Sequence, residues 1–205
     1  MPTGKRLTST VTSESTVILG IEEFEVPSPA PDEVLVEIEA SPINPSDLGL
    51  LFAGADVTTV SESDDGLILS LPDGAISGLT GRLDRPMPVG NEGSGVVIDA
   101  GTSEDAQALH GRVVAALAGG MYATHRLVKA RDCLVLQEGT QAIDAASCFV
   151  NPLTALGMTE TMRLEGHEAI IHTAAASNLG QMLNRICIDD GIDLINIVRL
   201  SLIHI

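Results

Sequence analysis

Two hydrophobic periods share this chain, and they change over near Ala142. Before that point apolar and polar residues alternate. In Glu33-Val34-Leu35-Val36-Glu37-Ile38-Glu39-Ala40, the residues Val34, Val36 and Ile38 fall on one face, as in a half-buried strand. Residues 16–26 read as a strand ahead of it, with Pro27, Pro29 and Pro31 punctuating the connection. Asn44-Pro45-Ser46-Asp47 opens a short helix, its polar residues placed as caps before 48–52. Further strands are expected at 67–71, 95–101, 112–117 and 122–128, and a loop at 61–66. Short strands joined by Gly-rich turns imply a small β-barrel-like domain.

Beyond Ala142 the pattern becomes helical, then apolar. Residues 143–149 and 153–164 have helical spacing. Ala169-Ile170-Ile171-His172-Thr173 is a short apolar run of the kind buried in parallel sheets. Residues 178–188 form a helix with Leu179, Met182, Leu183 and Ile186 on one face, and 194–198 a second apolar strand. Strand, helix and strand in that order begin an α/β sheet. The fold class is therefore α+β followed by α/β.

Composition narrows the function. Aromatic residues are 2% of the chain, and the net charge is −17. Base stacking and attraction to phosphate backbones or anionic membranes are both disfavoured, so neither nucleic acid nor membrane is expected as a partner. No apolar stretch is long enough to span a bilayer. Cys133, Cys148 and Cys187 have no CxxC spacing, which suits reduced thiols in a cytoplasmic protein.

Three blocks carry a family resemblance. The first runs from Glu33-Val34-Leu35-Val36 to Asn44-Pro45-Ser46-Asp47. The second is Pro88-Val89-Gly90-Asn91-Glu92-Gly93-Ser94-Gly95-Val96-Val97 with Gly111-Arg112-Val113-Val114. The third joins Asn151-Pro152-Leu153-Thr154-Ala155 to Ala174-Ala175-Ala176-Ser177-Asn178-Leu179-Gly180. In this order the blocks resemble the medium-chain dehydrogenase/reductase superfamily, in its zinc-free quinone oxidoreductase and 2-enoyl thioester reductase-like branch. The resemblance implies a GroES-like β-barrel domain at 1–141 and an incomplete Rossmann domain at 142–199, with the active site in the cleft between them. It implies an NADPH-dependent reductase of quinones or activated C=C bonds (enones, enoyl thioesters) acting on a small-molecule substrate, and a homodimer for the full-length parent. A catalytically idle NADPH-binding or interaction protein on the same scaffold, or a non-functional fragment, are the alternatives.

Residue by residue, the resemblance puts Asn44 and Thr154 beside the nicotinamide, where each can hydrogen-bond a carboxamide or a substrate carbonyl. A helix cap is the structural alternative for Asn44. Ala175, Ala176, Ser177, Asn178, Leu179 and Gly180 stand where the pyrophosphate fingerprint GxGxxG belongs, with only its last glycine kept. An ordinary strand–helix turn is the plain alternative. Arg199, 19 residues after Gly180, ends the second strand where NAD-binding units carry an acid, and so points to the 2′-phosphate of NADPH.

No metal is expected. Asn44, Asn91 and Val150 stand where related alcohol dehydrogenases hold zinc, and an amide or a valine is a poor ligand. His167-Glu168 followed by His172 is one residue too long for HExxH. No tyrosine follows the Asn-Pro-Ser-Asp block in 50–56, where enoyl reductases place an acid, and Tyr122 is expected to be structural. The serines form no GxSxG elbow. The last six residues, Leu-Ser-Leu-Ile-His-Ile at 200–205, match the translation of a transposase sequencing adapter. They are expected to be an artefactual tail on a C-terminally truncated chain.

Overall fold

The computed structural model describes residues 2–64 and 66–198. Arg199 and the tail at 200–205 lie outside the described residues. The chain divides into two units, the first ending at Ala146 and the second beginning at Ser147.

The first unit is built on two five-stranded antiparallel sheets. One holds β1 (Thr3–Val11), β2 (Thr16–Glu25), β4 (Asp56–Ser63), β5 (Gly66–Ser70) and β6 (Met87–Pro88), in the order β4-β5-β2-β1-β6. The other holds β3 (Glu33–Ala40), β7 (Glu92–Ala100), β8 (Val113–Leu117), β9 (His125–Lys129) and β10 (Cys133–Val135), in the order β10-β8-β7-β3-β9. Helix α1 (Pro45–Phe52), the one-turn α2 (Glu104–Gln107) and the one-turn α3 (Ala142–Ala145) complete it.

Residues 121–124 stitch the two sheets together. Leu7 N donates to the Tyr122 carbonyl at 2.8 Å, Thr124 N to Lys5 at 2.8 Å, and Ile38 N to Thr124 at 2.9 Å. The sheets thus curl into a half-barrel. Its core is filled by Val34, Val36, Val97, Val114, Met121 and Val128, so the alternation read in β3 is the buried face. Without large aromatics, close packing rests on these branched side chains and on glycine. A Cβ at Gly95 would lie 1.9 Å from the Glu37 carbonyl oxygen, which is why β7 can cross β3 only with glycine there.

The structure differs from the sequence reading at three places, and two of the differences have a plain physical cause. β1 was not read from the sequence, because its buried positions are mostly small or polar: Gly4, Thr8, Ser9 and Val11. Ser9 is fully buried yet satisfied, its hydroxyl donating to the Leu51 carbonyl at 2.7 Å. β4 is exposed along its whole length and reaches Ser63, inside the expected loop. Pairing with β5 holds it there, not an apolar face. The helix expected at 143–149 ends at Ala145.

The second unit contains α4 (Val150–Leu164), β11 (Ala169–His172), α5 (Asn178–Asp190) and β12 (Asp193–Asn196). β11 and β12 are parallel, with Ile170 opposite Leu194. Ala155, Leu183 and Cys187 form the core, with Leu179, Met182 and Ile186 packed against it, so the predicted face of α5 is the buried one. Gly191, at φ 67°, closes α5 in the left-handed conformation. Among the described residues no helix is long and apolar enough to cross a membrane.

Candidate functional site

Candidate functional residues lie in both units. In the first, Pro45 starts α1, since its fixed φ suits a first helical residue and its missing N–H is not needed there. That puts Asn44 at the cap position. Asp47 turns back, its Oδ2 accepting the Asn44 N–H at 2.7 Å, while the Asp47 N–H reaches the Asn44 carbonyl at 2.9 Å. The Asp47 Oδ1 accepts the Asn91 N–H at 2.9 Å, which ties α1 to the approach to β7. The side-chain amide of Asn44 goes elsewhere. Its Nδ2 donates to Glu92 Oε1 at 2.9 Å, and both residues are almost closed to solvent. A carboxylate in that setting is costly without donors, and Asn44 supplies one.

Sequence reasoning passed over Asp47 and Glu92 as site members. The Asn-x-x-Asp spacing of a capping box was visible for the first. For Glu92 the sequence holds no signal beyond its place next to Asn91. Tyr122 joins the same neighbourhood, its hydroxyl donating to the Pro42 carbonyl at 2.9 Å. Burial pushes its pKa well above the usual phenol range, and the nearby carboxylates of Asp47 and Glu92 push it the same way. A phenol held neutral and bonded to the backbone serves the structure.

The positions compared with zinc ligands are taken up by hydrogen bonds. Asn44 Nδ2 is spent on Glu92, and Asn91 Nδ2 donates to Ser46 Oγ at 3.0 Å. Val150 starts α4 and offers no donor atom in its side chain. His167 is exposed beside Glu165, whereas His172 is buried at the end of β11, so the two histidines share no helical face. Among the described residues no group of three His, Cys, Asp or Glu is gathered as a metal site.

In the second unit, residues 173–177 turn from β11 into α5. Ser177 is the cap, its hydroxyl accepting the Gly180 N–H at 3.1 Å. Among the described non-glycine residues only Ser15, Ala53 and Asp84 have positive φ, so the turn needs no left-handed residue. Ala176, Ser177 and Asn178 are therefore tolerated where a fingerprint carries glycine or any residue. Gly180 is different. A Cβ there would meet the Ala175 carbonyl oxygen at 2.4 Å and that of Ala174 at 2.7 Å. The retained glycine is the one that lets α5 pack on the turn, and the first N–H groups of a helix have no partner within the helix itself.

Thr154 lies on the exposed side of α4, along an open hollow of about 600 Å³ bordered by Met158, Met162, His167 and Ile170. Its hydroxyl donates to the Val150 carbonyl at 2.5 Å, so the oxygen's lone pairs are what it can offer a ligand. Asn44 thus belongs to the first unit, and Thr154 with Ala175, Ala176, Ser177, Asn178, Leu179 and Gly180 to the second.

A half-barrel of two antiparallel sheets followed by a strand–helix–strand unit with a tight turn is the pairing of a GroES-like domain with the beginning of a Rossmann domain. No family model matches the chain. It is 30% identical over 186 residues to the mitochondrial enoyl-acyl-carrier-protein reductase of Xenopus tropicalis, covering 89% of this chain and 46% of that protein. An NADPH quinone oxidoreductase of Kluyveromyces marxianus is 25% identical over 187 residues, covering 89% of this chain and 45% of the relative. The chain spans about half the length of the curated relatives it matches. Among solved structures, the quinone oxidoreductase of Coxiella burnetii superposes with a TM-score of 0.72 at 17% identity, over 98% of this chain and 58% of that one. A mutant form of the enoyl thioester reductase of Candida tropicalis gives 0.65 at 22%, over 100% and 57%. The likeness to both structures is one of fold. These relatives bear out the resemblance to the medium-chain dehydrogenase/reductase superfamily, in its quinone reductase and enoyl reductase branch.

Proposed function

We propose that the protein takes part in NADPH-dependent reduction of quinones or activated C=C bonds, by hydride transfer and without zinc. The observation that carries this reading is the β11–α5 turn, where a Cβ at Gly180 would press on the backbone of the turn and Ser177 caps the helix that follows. An anionic pyrophosphate fits such a helix start, which offers backbone N–H groups and a favourable dipole. The names of the relatives, enoyl-acyl-carrier-protein reductase and NADPH quinone oxidoreductase, support the same cofactor and substrate class.

Ala175, Ala176, Ser177, Asn178, Leu179 and Gly180 are assigned to hold the pyrophosphate. Arg199 is assigned to the 2′-phosphate, which a guanidinium can bond through two donors. Asn44 is assigned a hydrogen bond to the cofactor's carboxamide or the substrate carbonyl, and Thr154 one from the N–H of the carboxamide. Asn44 is held in orientation by Glu92, and Thr154 Oγ1, whose hydrogen points to the Val150 carbonyl, accepts. NADPH supplies the hydride when bound, and the protein's part is to bind, orient and exclude water. The test is steady NADPH oxidation against a panel of quinones, enones and enoyl thioesters in metal-free buffer. Turnover with at least one acceptor, unchanged by a chelator, is expected. NADPH binding without turnover on any acceptor would instead favour an idle binding protein.

A further inference from the structure

The first unit also holds a cavity of about 260 Å³ bordered by Arg6, His125 and Arg126, and lined by neither Asn44 nor Glu92. In a chain where acids outnumber Lys and Arg by 28 to 11, two arginines at one hollow are unexpected. Arg6, on β1, is already satisfied. Its Nε donates to Glu22 Oε2 at 3.0 Å, and its guanidinium lies 5.1 Å from the centre of the Phe24 ring.

Arg126, on β9, is not satisfied. Its one side-chain hydrogen bond among the described residues runs from Nη2 to the Ala118 carbonyl at 3.2 Å, and its buried Nε has no partner. No carboxylate among the described residues comes within ion-pair distance of it. Gly120 lies beside this half-buried guanidinium, where a Cβ would be in ordinary contact, 3.7 Å from the Arg126 Cζ. Burial disfavours the charged form of Arg126, and the positive charge of Arg6 adds to the penalty. Glu25 borders the hollow but is exposed and makes no ion pair with either arginine. An unpaired, half-buried cation beside a second cation is destabilising until an anion arrives.

We propose that this hollow is a binding site for a small organic oxyanion, whose negative head pairs with Arg126 beside Arg6 and His125. Phe24, Leu35 and Leu127 line the rest of it, so a short apolar body on the anion gains contact that a bare ion does not. The site lies wholly in the first unit and does not depend on the assignment of NADPH.

The test is calorimetric titration of the protein with butanoate and with inorganic phosphate at fixed ionic strength, with neutral butanamide as control. Saturable binding of butanoate, at least tenfold weakened in Arg126→Gln, is expected, with no binding of butanamide. Phosphate binding weaker than that of butanoate, and also lost in Arg126→Gln, is expected, and phosphate binding as tight as butanoate would overturn the assignment to an organic anion. The Arg126 Nε–H resonance of the unaltered protein gives a second readout should the variant misfold, and it is expected to shift on titration with the bound anion. No saturable binding of either anion, an affinity unchanged in a folded Arg126→Gln protein, or binding that leaves the Nε–H resonance in place would overturn the proposal.

Discussion

Replacing Gly180 by alanine tests the turn on which the functional reading rests. Two effects oppose each other. Inside a helix, alanine is favoured over glycine by about 1 kcal/mol. Against that, the new Cβ would stand 2.4 Å from the Ala175 carbonyl oxygen and 2.7 Å from that of Ala174. This is roughly 1 Å inside ordinary contact, and both obstacles are backbone, which cannot rotate away. Overpacking of this kind costs about 1–3 kcal/mol. Gly180→Ala is therefore expected to be neutral to about 2 kcal/mol less stable, and to displace the turn by up to about an ångström. Gly157→Ala is the internal control: Gly157 is in α4 with nothing within 4 Å of its Cβ position, so a gain of roughly 0.5–1 kcal/mol is expected. Urea unfolding followed by circular dichroism measures both, and fluorescence titration with NADPH reads the turn directly. If the turn holds the pyrophosphate, the displacement should weaken binding about tenfold or more, at about 1.4 kcal/mol per factor of ten. A Gly180→Ala protein as stable as Gly157→Ala, binding NADPH like the unaltered chain, would refute the reasoning.

Other outcomes follow from single groups. Tyr122 is the one tyrosine of a chain without tryptophan, so tyrosinate absorbance reports it alone. The folded protein should show no ionisation in the usual phenol range, and a normal titration there would contradict the buried hydroxyl. Burial, aided by the charge of Asp132, pushes the Cys133 thiol up to about 11. Because the folded state holds that proton longer than the unfolded one, its contribution to stability is intact below the ordinary thiol range and is lost as pH rises through about 11. Pulse alkylation with peptide mapping should therefore find Cys133 half-ionised near pH 11, and a midpoint in the ordinary range would be inconsistent with that burial. Arg199→Ala should lower the ratio of kcat/KM for NADPH over NADH; an unchanged ratio would release Arg199 from the 2′-phosphate. Elemental analysis of the purified protein should find no stoichiometric zinc, and a metal whose removal by a chelator abolishes turnover would sink the zinc-free assignment.

What could be read from the sequence was what hydrophobic periodicity encodes. β3 alternates and α5 has one apolar face, and both faces are buried as expected. The parallel pair β11 and β12 followed from short apolar runs flanking that helix. β1 was hidden because it buries Ser9 and Thr8, whose hydroxyls are satisfied by the carbonyls of Leu51 and Gly20, contacts that no local pattern announces. β4 was hidden because an edge strand exposed along its length has no buried face to alternate. In the site, Asn44 was legible as a cap from the residues around it. Its bond to Glu92 spans 48 residues and depends on β7 running close to α1, which only the folded chain reveals. The turn before α5 was partly legible. Gly180 stood in the sequence, but the reason alanine and serine suffice elsewhere in the turn lies in its negative φ values.

The most direct test of the functional claim is to follow the hydride itself. The protein is supplied with NADPH carrying deuterium at the transferring position of the nicotinamide, together with whichever enone or enoyl thioester the panel identifies. Mass spectrometry then reads the reduced product. Transfer of one deuterium per product molecule, in metal-free buffer and weakened by Gly180→Ala, is the predicted result. Product without deuterium, or no product from any acceptor while NADPH stays unoxidised, would contradict the proposal that this chain takes part in hydride transfer.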